Sequence, residues 1–288
     1  MSGIFFALGT ALFWAVATRL FRQMALYWTP VGLATLKSVV AVALFLTWFA
    51  LQGVRFWEHE LETVLWLFGS GIVGIAIGDS ALFYALYRMG ERNTLLVAET
   101  AAPVLAVSFA FLLLAESISL QQILGVALVI IGVDAVIGLR RGSKQFDKVG
   151  VLWALLAAAC QASGVLVSRV FLTQTDISAE ESALWRLLGA TVVLPLWMWL
   201  RNDSLVPARS LGPAVWCRVT AAIFIGTFLG VLFLQSAVQR LPAGVAQALI
   251  ATSIIFATAI GVAYGERVDR RQWLGVALAV AGVAVVAL

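Results

Sequence analysis

The sequence predicts an all-α integral membrane protein with ten transmembrane helices, arranged as two inverted five-helix repeats. Three observations predict this fold: an apolar composition, a series of long apolar segments and an internal repeat. Apolar residues make up 62% of the 288 residues, charged residues make up 12%, and the mean hydropathy is +1.00. A soluble domain carries about a quarter charged residues, so this chain belongs in a bilayer. Its net charge of +4 is not gathered into a basic face, and we expect no nucleic-acid partner.

The apolar segments are long enough to cross a membrane, since a helix needs about 20 residues to span a hydrocarbon core of about 30 Å. In lipid the backbone polar groups must be satisfied within each segment, so long continuous apolar runs predict helices. The period-two alternation of a transmembrane barrel is absent from the sequence. The predicted helices are 3–22, 30–50, 63–88, 91–114, 120–138, 149–170, 180–200, 214–239, 242–264 and 271–288.

An internal repeat relates the fifth predicted helix to the tenth by a shift of 150 positions. Seven residues between Gln122 and Val133 recur in the same order and spacing between Gln272 and Val283. Because each half crosses the membrane five times, the second half begins on the opposite side, and the halves must be related by an axis in the membrane plane. The predicted division is 1–141 for the first repeat, 142–148 for a basic linker and 149–288 for the second repeat.

Two helix starts are predicted independently of hydropathy. Ser119 with Gln122, and Asp269 with Gln272, have the spacing of a capping box, in which two side chains close each other's unpaired backbone N–H groups. They fall at the starts of the fifth and tenth predicted helices, which supports the grouping into fives.

Ionisable residues deep inside the predicted helices are the main functional signal, because each costs about 3 kcal/mol at a helix centre. They are Lys37, Asp79, Glu99 and Arg186. At 1.5 Å per residue, the first three lie roughly 10 to 14 Å from one side of the membrane. We expect them to line a substrate cavity, with one carboxylate exchanging protons with a coupled flux. The alternative is a structural ion pair in which Lys37 neutralises one acid.

Arg186 occupies the position in the second repeat that Lys37 occupies in the first. The positions that match the two acids hold Leu229 and Leu249, so Arg186 lacks an obvious intramembrane acid. A bound anion or a substrate carboxylate is therefore a candidate partner. The alternative partner is Glu180 or its neighbour Glu181, near the start of the same helix.

Polar and aromatic residues inside the predicted helices are expected to complete the binding site, although each could instead form an interhelical hydrogen bond. This set comprises Trp14, Tyr84, Gln161, Gln235 and Gln247. No metal or cofactor site is expected, because His59 is the single histidine and both Cys160 and Cys217 fall in apolar runs. The sequence also has no Walker-type phosphate loop, so we expect a gradient rather than nucleotide hydrolysis to supply energy.

Several features together resemble the drug/metabolite transporter superfamily, EamA type. These are the five-helix duplication, Gly78-Asp79 through Phe83-Tyr84-Ala85-Leu86, the Pro103 region, the closing Ala115-Glu116 and Gly265-Glu266, and the Gln-x-x-Gly repeats. The resemblance implies a ten-helix basket whose central cavity is lined by helices one to four and six to nine. It also implies export or exchange of small organic solutes such as amino acids, nucleobases, drugs or phosphorylated sugars.

Two features depart from the family pattern. Lys37 stands where the family often has an arginine. Basic residues concentrate in the loops after odd-numbered helices, which predicts that both termini lie outside, whereas the family commonly has cytoplasmic termini.

The sequence thus predicts a multi-pass protein of the inner membrane that is not an enzyme but a secondary transporter. It would export or exchange a small metabolite, such as an amino acid or drug, by alternating access. The alternatives are a lipid-headgroup flippase and an intramembrane enzyme acting on lipid-linked substrates. Expected partners are the solute and membrane lipids, with protons as a candidate coupling ion, and both a monomer and a homodimer remain open.

Overall fold

A computed structural model describes residues 2–25, 27–53, 55–114, 119–138, 147–207, 211–264 and 270–287. Within these ranges the chain forms ten helical spans and no strand. They are α1 Ser2–Met24, α2 Pro30–Gln52, α3 Leu61–Gly90, α4 as the part of Gly78–Leu114 that follows Gly90, α5 Leu120–Gly138, α6 Lys148–Gln174, α7 Ala179–Leu200, α8 Pro213–Arg240, α9 Ala243–Ala263 and α10 Arg270–Ala287. The predicted fold class is confirmed.

Seven of these helices are long and apolar enough to cross a membrane by length and composition alone. The other three contain shorter apolar stretches, Val97–Leu113, Leu120–Gly132 and Trp273–Val285. The break between α3 and α4 falls at Gly90, whose φ of 73° is a conformation that residues with a Cβ rarely adopt. The predicted linker 142–148 lies almost entirely outside the described residues, so the division into 1–141 and 149–288 stays a prediction.

Capping side chains set several helix starts. The predicted box at α5 is present: the Ser119 N–H donates to Gln122 Oε1 at 3.1 Å, and the Gln122 N–H donates to Ser119 Oγ at 3.2 Å. Asp269 and the side chain of Gln272, which form the predicted box of α10, lie outside the described residues. Thr29 caps α2 by accepting from the Gly32 N–H at 3.1 Å.

Helices α3 and α8 each contain one π-helical segment at matching positions, Ile72–Ile77 and Phe224–Leu229. The third residue of each segment is a glycine, and each glycine lies against the first helix of the other half. A Cβ at Gly74 would come within 3.5 Å of Gly164 in α6, and a Cβ at Gly226 would overlap Ala17 in α1. The two halves therefore interlock through equivalent close contacts.

Helices α5 and α10 pair with each other at the edge of the bundle. A Cβ on Gly132 would meet the Gly275 carbonyl at 2.6 Å, and a Cβ on Gly282 would meet the Gly125 carbonyl at 2.7 Å. These glycines permit close backbone approach, as small residues do in membrane helix pairs. The remaining eight spans surround the centre of the molecule.

Candidate functional site

A cavity lies between the two halves and encloses about 1300 Å³, including its open mouth. Residues of α1 to α4 and α6 to α9 line it, whereas no described residue of α5 or α10 does. This is the arrangement that the sequence resemblance implied.

The cavity is closed toward the side of the membrane where the chain begins. A packed apolar cluster fills that end, and Ala7, Ile177 and Ala243 within it are at most 1% exposed. The lining extends the other way to Leu86 and Leu95, which lie within five residues of the break at Gly90. The mouth therefore faces the side where α1 and α3 end, which is also the side of the basic loops.

Lys37 and Asp79 form an ion pair between α2 and α3 on the cavity wall. Their side chains are 10% and 23% exposed, so neither is sealed from the cavity. The Lys37 ammonium also lies 5.9 Å from the centre of the Phe83 ring. This contact is the structural ion pair considered from the sequence, and it also contributes both charges to the cavity surface.

Arg186 lies at the cavity floor and is 1% exposed. Its Nη1 donates to Ser168 Oγ at 3.0 Å, and Gln235 Nε2 donates to the same hydroxyl at 3.3 Å. Gly74 and Gly164 make room for the guanidinium, because a Cβ on either would lie 2.8 Å or less from Nη2. Two glycines and a hydroxyl thus position a buried cation.

The ion pair of Arg186 with Glu180 or Glu181, which the sequence offered as an alternative, is not formed among the described residues. Glu181 instead lies 3.0 Å from His59 and closes a capping box with Ser178 at the start of α7. The side chain of Arg186 makes no ion pair with a described carboxylate.

Glu99 of α4 occupies a separate part of the cavity wall, beside Ser253 of α9. It therefore lies where the fourth helices of the two halves meet. Although Glu99 was expected at the same level as the Lys37–Asp79 pair, it makes no ion pair with a described cation.

The cavity brings together seven of the nine residues predicted to bind substrate, namely Trp14, Lys37, Asp79, Glu99, Gln161, Arg186 and Gln247. Trp14 is held by its Nε1, which donates to the Gly226 carbonyl at 3.1 Å. The amide nitrogens of Gln161 and Gln247 are buried and have no hydrogen-bond partner among the residues described.

The other two predicted residues lie outside the lining. Tyr84 stacks on Trp153 with ring centres 5.1 Å apart, and Gln235 is fully buried behind the wall, next to Ser168. Successive residues of a helix point about 100° apart, so Phe83 faces the cavity where Tyr84 does not.

Sequence reasoning missed Thr18 and Thr227, which line the cavity. Threonine in a membrane helix is common and gives little signal alone. For Thr227 a signal existed, because it directly follows Gly226 in the repeat of glycines along α8.

Comparisons with known proteins agree with this geometry. The sequence profile of the EamA-like transporter family matches residues 1–137 and 148–288. A solved structure described only as "Crystal structure of protein" superposes with a TM-score of 0.81 at 20% identity, covering 99% of this chain and 96% of that one. That likeness shows the fold.

Two curated relatives carry the same name, "Probable 4-amino-4-deoxy-L-arabinose-phosphoundecaprenol flippase subunit ArnE". The protein of Pseudomonas fluorescens is 29% identical over 136 residues, which are 47% of this chain and 94% of the relative. The protein of Pectobacterium atrosepticum is 39% identical over 64 residues, which are 22% of this chain and only 55% of that relative's length.

Proposed function

The chain belongs to the EamA-like transporter family, and from that premise we propose that it is a secondary transporter of a small organic solute. It is a multi-pass protein of the inner membrane. The observation that carries the proposal is the cavity between the halves, which is closed at one end and bears charged side chains on its wall. Because the family consists of transport proteins, the intramembrane-enzyme alternative is set aside.

Alternating access is supported by the matched contacts between the halves. Gly74 of α3 packs closely against α6, and Gly226 of α8 packs in the equivalent way against α1. Each glycine lies in a π-helical segment. Such segments are frequent at functional sites. If the two related halves exchange conformations, the mouth moves to the other side of the membrane. Driven by the gradient of a coupled ion or solute, this cycle exports or exchanges the solute.

The lining suits an organic molecule with polar groups. Phe21, Leu82 and Phe83 offer an apolar wall for a carbon skeleton, while Lys37, Asp79 and Glu99 supply charges of both signs. Binding sites for small molecules typically combine a mainly apolar surface with a few placed polar groups.

The proposal is tested by counterflow in proteoliposomes. Vesicles are loaded in parallel with an unlabelled amino-acid mixture, a nucleobase mixture or phosphorylated sugars, and diluted into the corresponding tritium-labelled solutes without ATP. We expect at least one class to accumulate label above the level in protein-free vesicles. Absence of exchange for all classes, with protein that remains monodisperse on gel filtration, would refute solute transport.

The second candidate is a lipid-headgroup flippase, and the names of the two curated relatives favour it. A flippase would move a polar headgroup through the cavity while the lipid chain stays in the bilayer. The assay is a fluorescent polyprenyl phosphate in both leaflets, with dithionite added outside. Protein-dependent quenching of more than the outer-leaflet half would favour the flippase, and quenching that stops at half would favour the soluble solute.

A further inference from the structure

Arg186 is a buried cation whose hydrogen-bonding capacity is only partly used. It is 1% exposed and donates to Ser168 Oγ, but its Nε has no hydrogen-bond partner in the part of the chain that the structure describes. A guanidinium has five N–H donors, no acceptor, and stays charged. Burying such a group with N–H donors unpaired is costly, so acceptor oxygens supplied by a ligand would offset that cost.

Two acids considered as partners of Arg186 make their contacts elsewhere. Asp79 attracts Arg186 electrostatically but forms its ion pair with Lys37. Glu181 lies 3.0 Å from His59. Neither acid therefore neutralises Arg186 as the ion pair of the first half neutralises Lys37.

Two further unpaired donors line the same cavity. Gln161 of α6 and Gln247 of α9 each have a buried Nε2 atom without a partner among the described residues. Behind the guanidinium, the Ser168 hydroxyl is fully engaged, because it donates to the Gly164 carbonyl at 3.0 Å while accepting from Arg186 and Gln235. The unpaired donors thus belong to residues that line the cavity, whereas Ser168 and Gln235 lie behind the lining.

We propose that Arg186, with Gln161 and Gln247, binds an anionic group of the transported molecule, a carboxylate or a phosphate. This inference rests on the proposed transport function and adds the chemical class of the substrate. Arginine matches the two oxygens of such groups with paired N–H donors, and the glutamine amides on the same cavity wall are further donors for an anionic group. Ser168 and Gln235 act as positioning residues that orient the guanidinium.

The test compares anionic and neutral probes on the purified full-length protein in detergent. The probes are inorganic phosphate, a phosphorylated glucose, glucuronate and unmodified glucose, with farnesyl phosphate and farnesol as the lipid pair. Thermal shift and isothermal titration measure binding. We expect anionic members to bind and neutral ones not to. Preference for farnesyl phosphate would assign a lipid headgroup, and preference for the sugar anions would assign a soluble solute.

Variants locate the site. Arg186→Gln should weaken anion binding by at least about tenfold, the effect expected for a charge-assisted hydrogen-bonded contact. Arg55→Gln removes the same charge from an exposed loop residue and should leave anion binding unchanged. If Arg186→Gln does not fold, Arg186→Lys and Gln247→Leu still test the site, because each should weaken anions several-fold relative to wild type. Equal anion affinity in all variants would overturn the proposal.

The counterflow assay separates this inference from the proposed function. Exchange of a neutral solute that Arg186→Gln does not alter would leave the transporter intact and remove the anion site. Anion binding that depends on Arg186, together with absence of all flux, would keep the anion site and remove the transporter.

Discussion

The second helix of each half carries a buried cation at the same position, but the two cations have different partners. Lys37 lies seven residues after the start of α2, and Arg186 lies seven residues after the start of α7. Lys37 is neutralised by Asp79, whereas Arg186 donates to the neutral hydroxyl of Ser168, which also accepts from Gln235. Because the halves are inverted, the two cations approach the cavity from opposite sides of the membrane.

The acids of the cavity wall are also distributed unequally between the two halves. Asp79 and Glu99 both belong to the first half, and the positions 150 residues later hold Leu229 and Leu249. The two halves therefore share their helix packing but differ in the charged residues that they place on the cavity wall. The first half carries both carboxylates among the described residues of the cavity wall, and the second half carries Arg186, for which we propose an anionic ligand.

The largest expected effect concerns Glu99, which has no counterpart acid in the second half. If Glu99 carries the coupled proton, Glu99→Gln should abolish pH-driven uptake in proteoliposomes while counterflow continues, because the amide keeps the shape but does not ionise. The measurement is uptake of the active solute under an imposed pH gradient. Glu62→Gln, at the exposed start of α3, is the control. Undiminished pH-driven uptake in Glu99→Gln would assign coupling elsewhere.

The next effect separates the two cations by stability. Asp79→Asn leaves Lys37 buried without a counter-charge, and breaking a largely buried pair in this way costs about 3 kcal/mol. Arg186→Gln removes a charge that has no acid partner, so its thermal midpoint should stay near that of wild type or rise. Melting in detergent measures both, with Asp176→Asn in an exposed loop as control. If Asp79→Asn melts like the control, the ion pair does not stabilise the bundle.

The contrast between the halves was only partly predictable from the sequence. Helix bounds such as 30–50 for Pro30–Gln52 were close, because bilayer thickness sets the length of an apolar helix. The buried charges were found for a similar reason, since charged residues are rare at that depth. Their partners were not predictable, because the Ser168 hydroxyl meets Arg186 and Gln235 only after three helices have packed.

The sequence also could not predict which residues of α3 face the cavity. The π-helical segment Ile72–Ile77 has a wider turn than an α-helix, so it rotates every following side chain relative to a regular period. An uninterrupted helical period therefore could not distinguish Tyr84 from Phe83 as the residue on the cavity wall. Nothing in the apolar sequence of this segment announces the change of period.

A smaller effect should distinguish the paired glycines of the two π-helical segments. A Cβ at Gly226 would overlap the Ala17 methyl group, so Gly226→Ala should destabilise the protein by roughly 1–3 kcal/mol. A Cβ at Gly74 would lie 2.8 Å from Nη2 of Arg186. That atom ends a flexible side chain, so Gly74→Ala should cost less stability but weaken anion binding. Thermal midpoints and anion titrations of both variants check this, and identical profiles would contradict it.

The smallest effect lies where the two halves meet at the mouth. Arg88 at the end of α3 pairs with Asp147, whose side chain also caps α6 by accepting from the Val149 and Gly150 N–H groups. The hydrogen bond from Arg88 holds the pKa of Asp147 below its usual value. A lowered folded-state pKa contributes stability above the unfolded-state pKa, and that contribution is lost as the pH falls through the folded value.

Asp147→Asn retains a capping side chain but removes the charge that Arg88 binds. It therefore tests the ion pair between the halves separately from the cap on α6. The thermal midpoint should fall slightly at neutral pH, because both partners are partly exposed and solvent screens the pair. Only as the pH falls through the lowered folded-state pKa, below the usual aspartate value of about 4, does the wild-type carboxyl group become protonated, and there the two midpoints should converge. A difference that persists or grows in acid would show that Asp147 stabilises the protein through its cap on α6 rather than through its charge pair with Arg88.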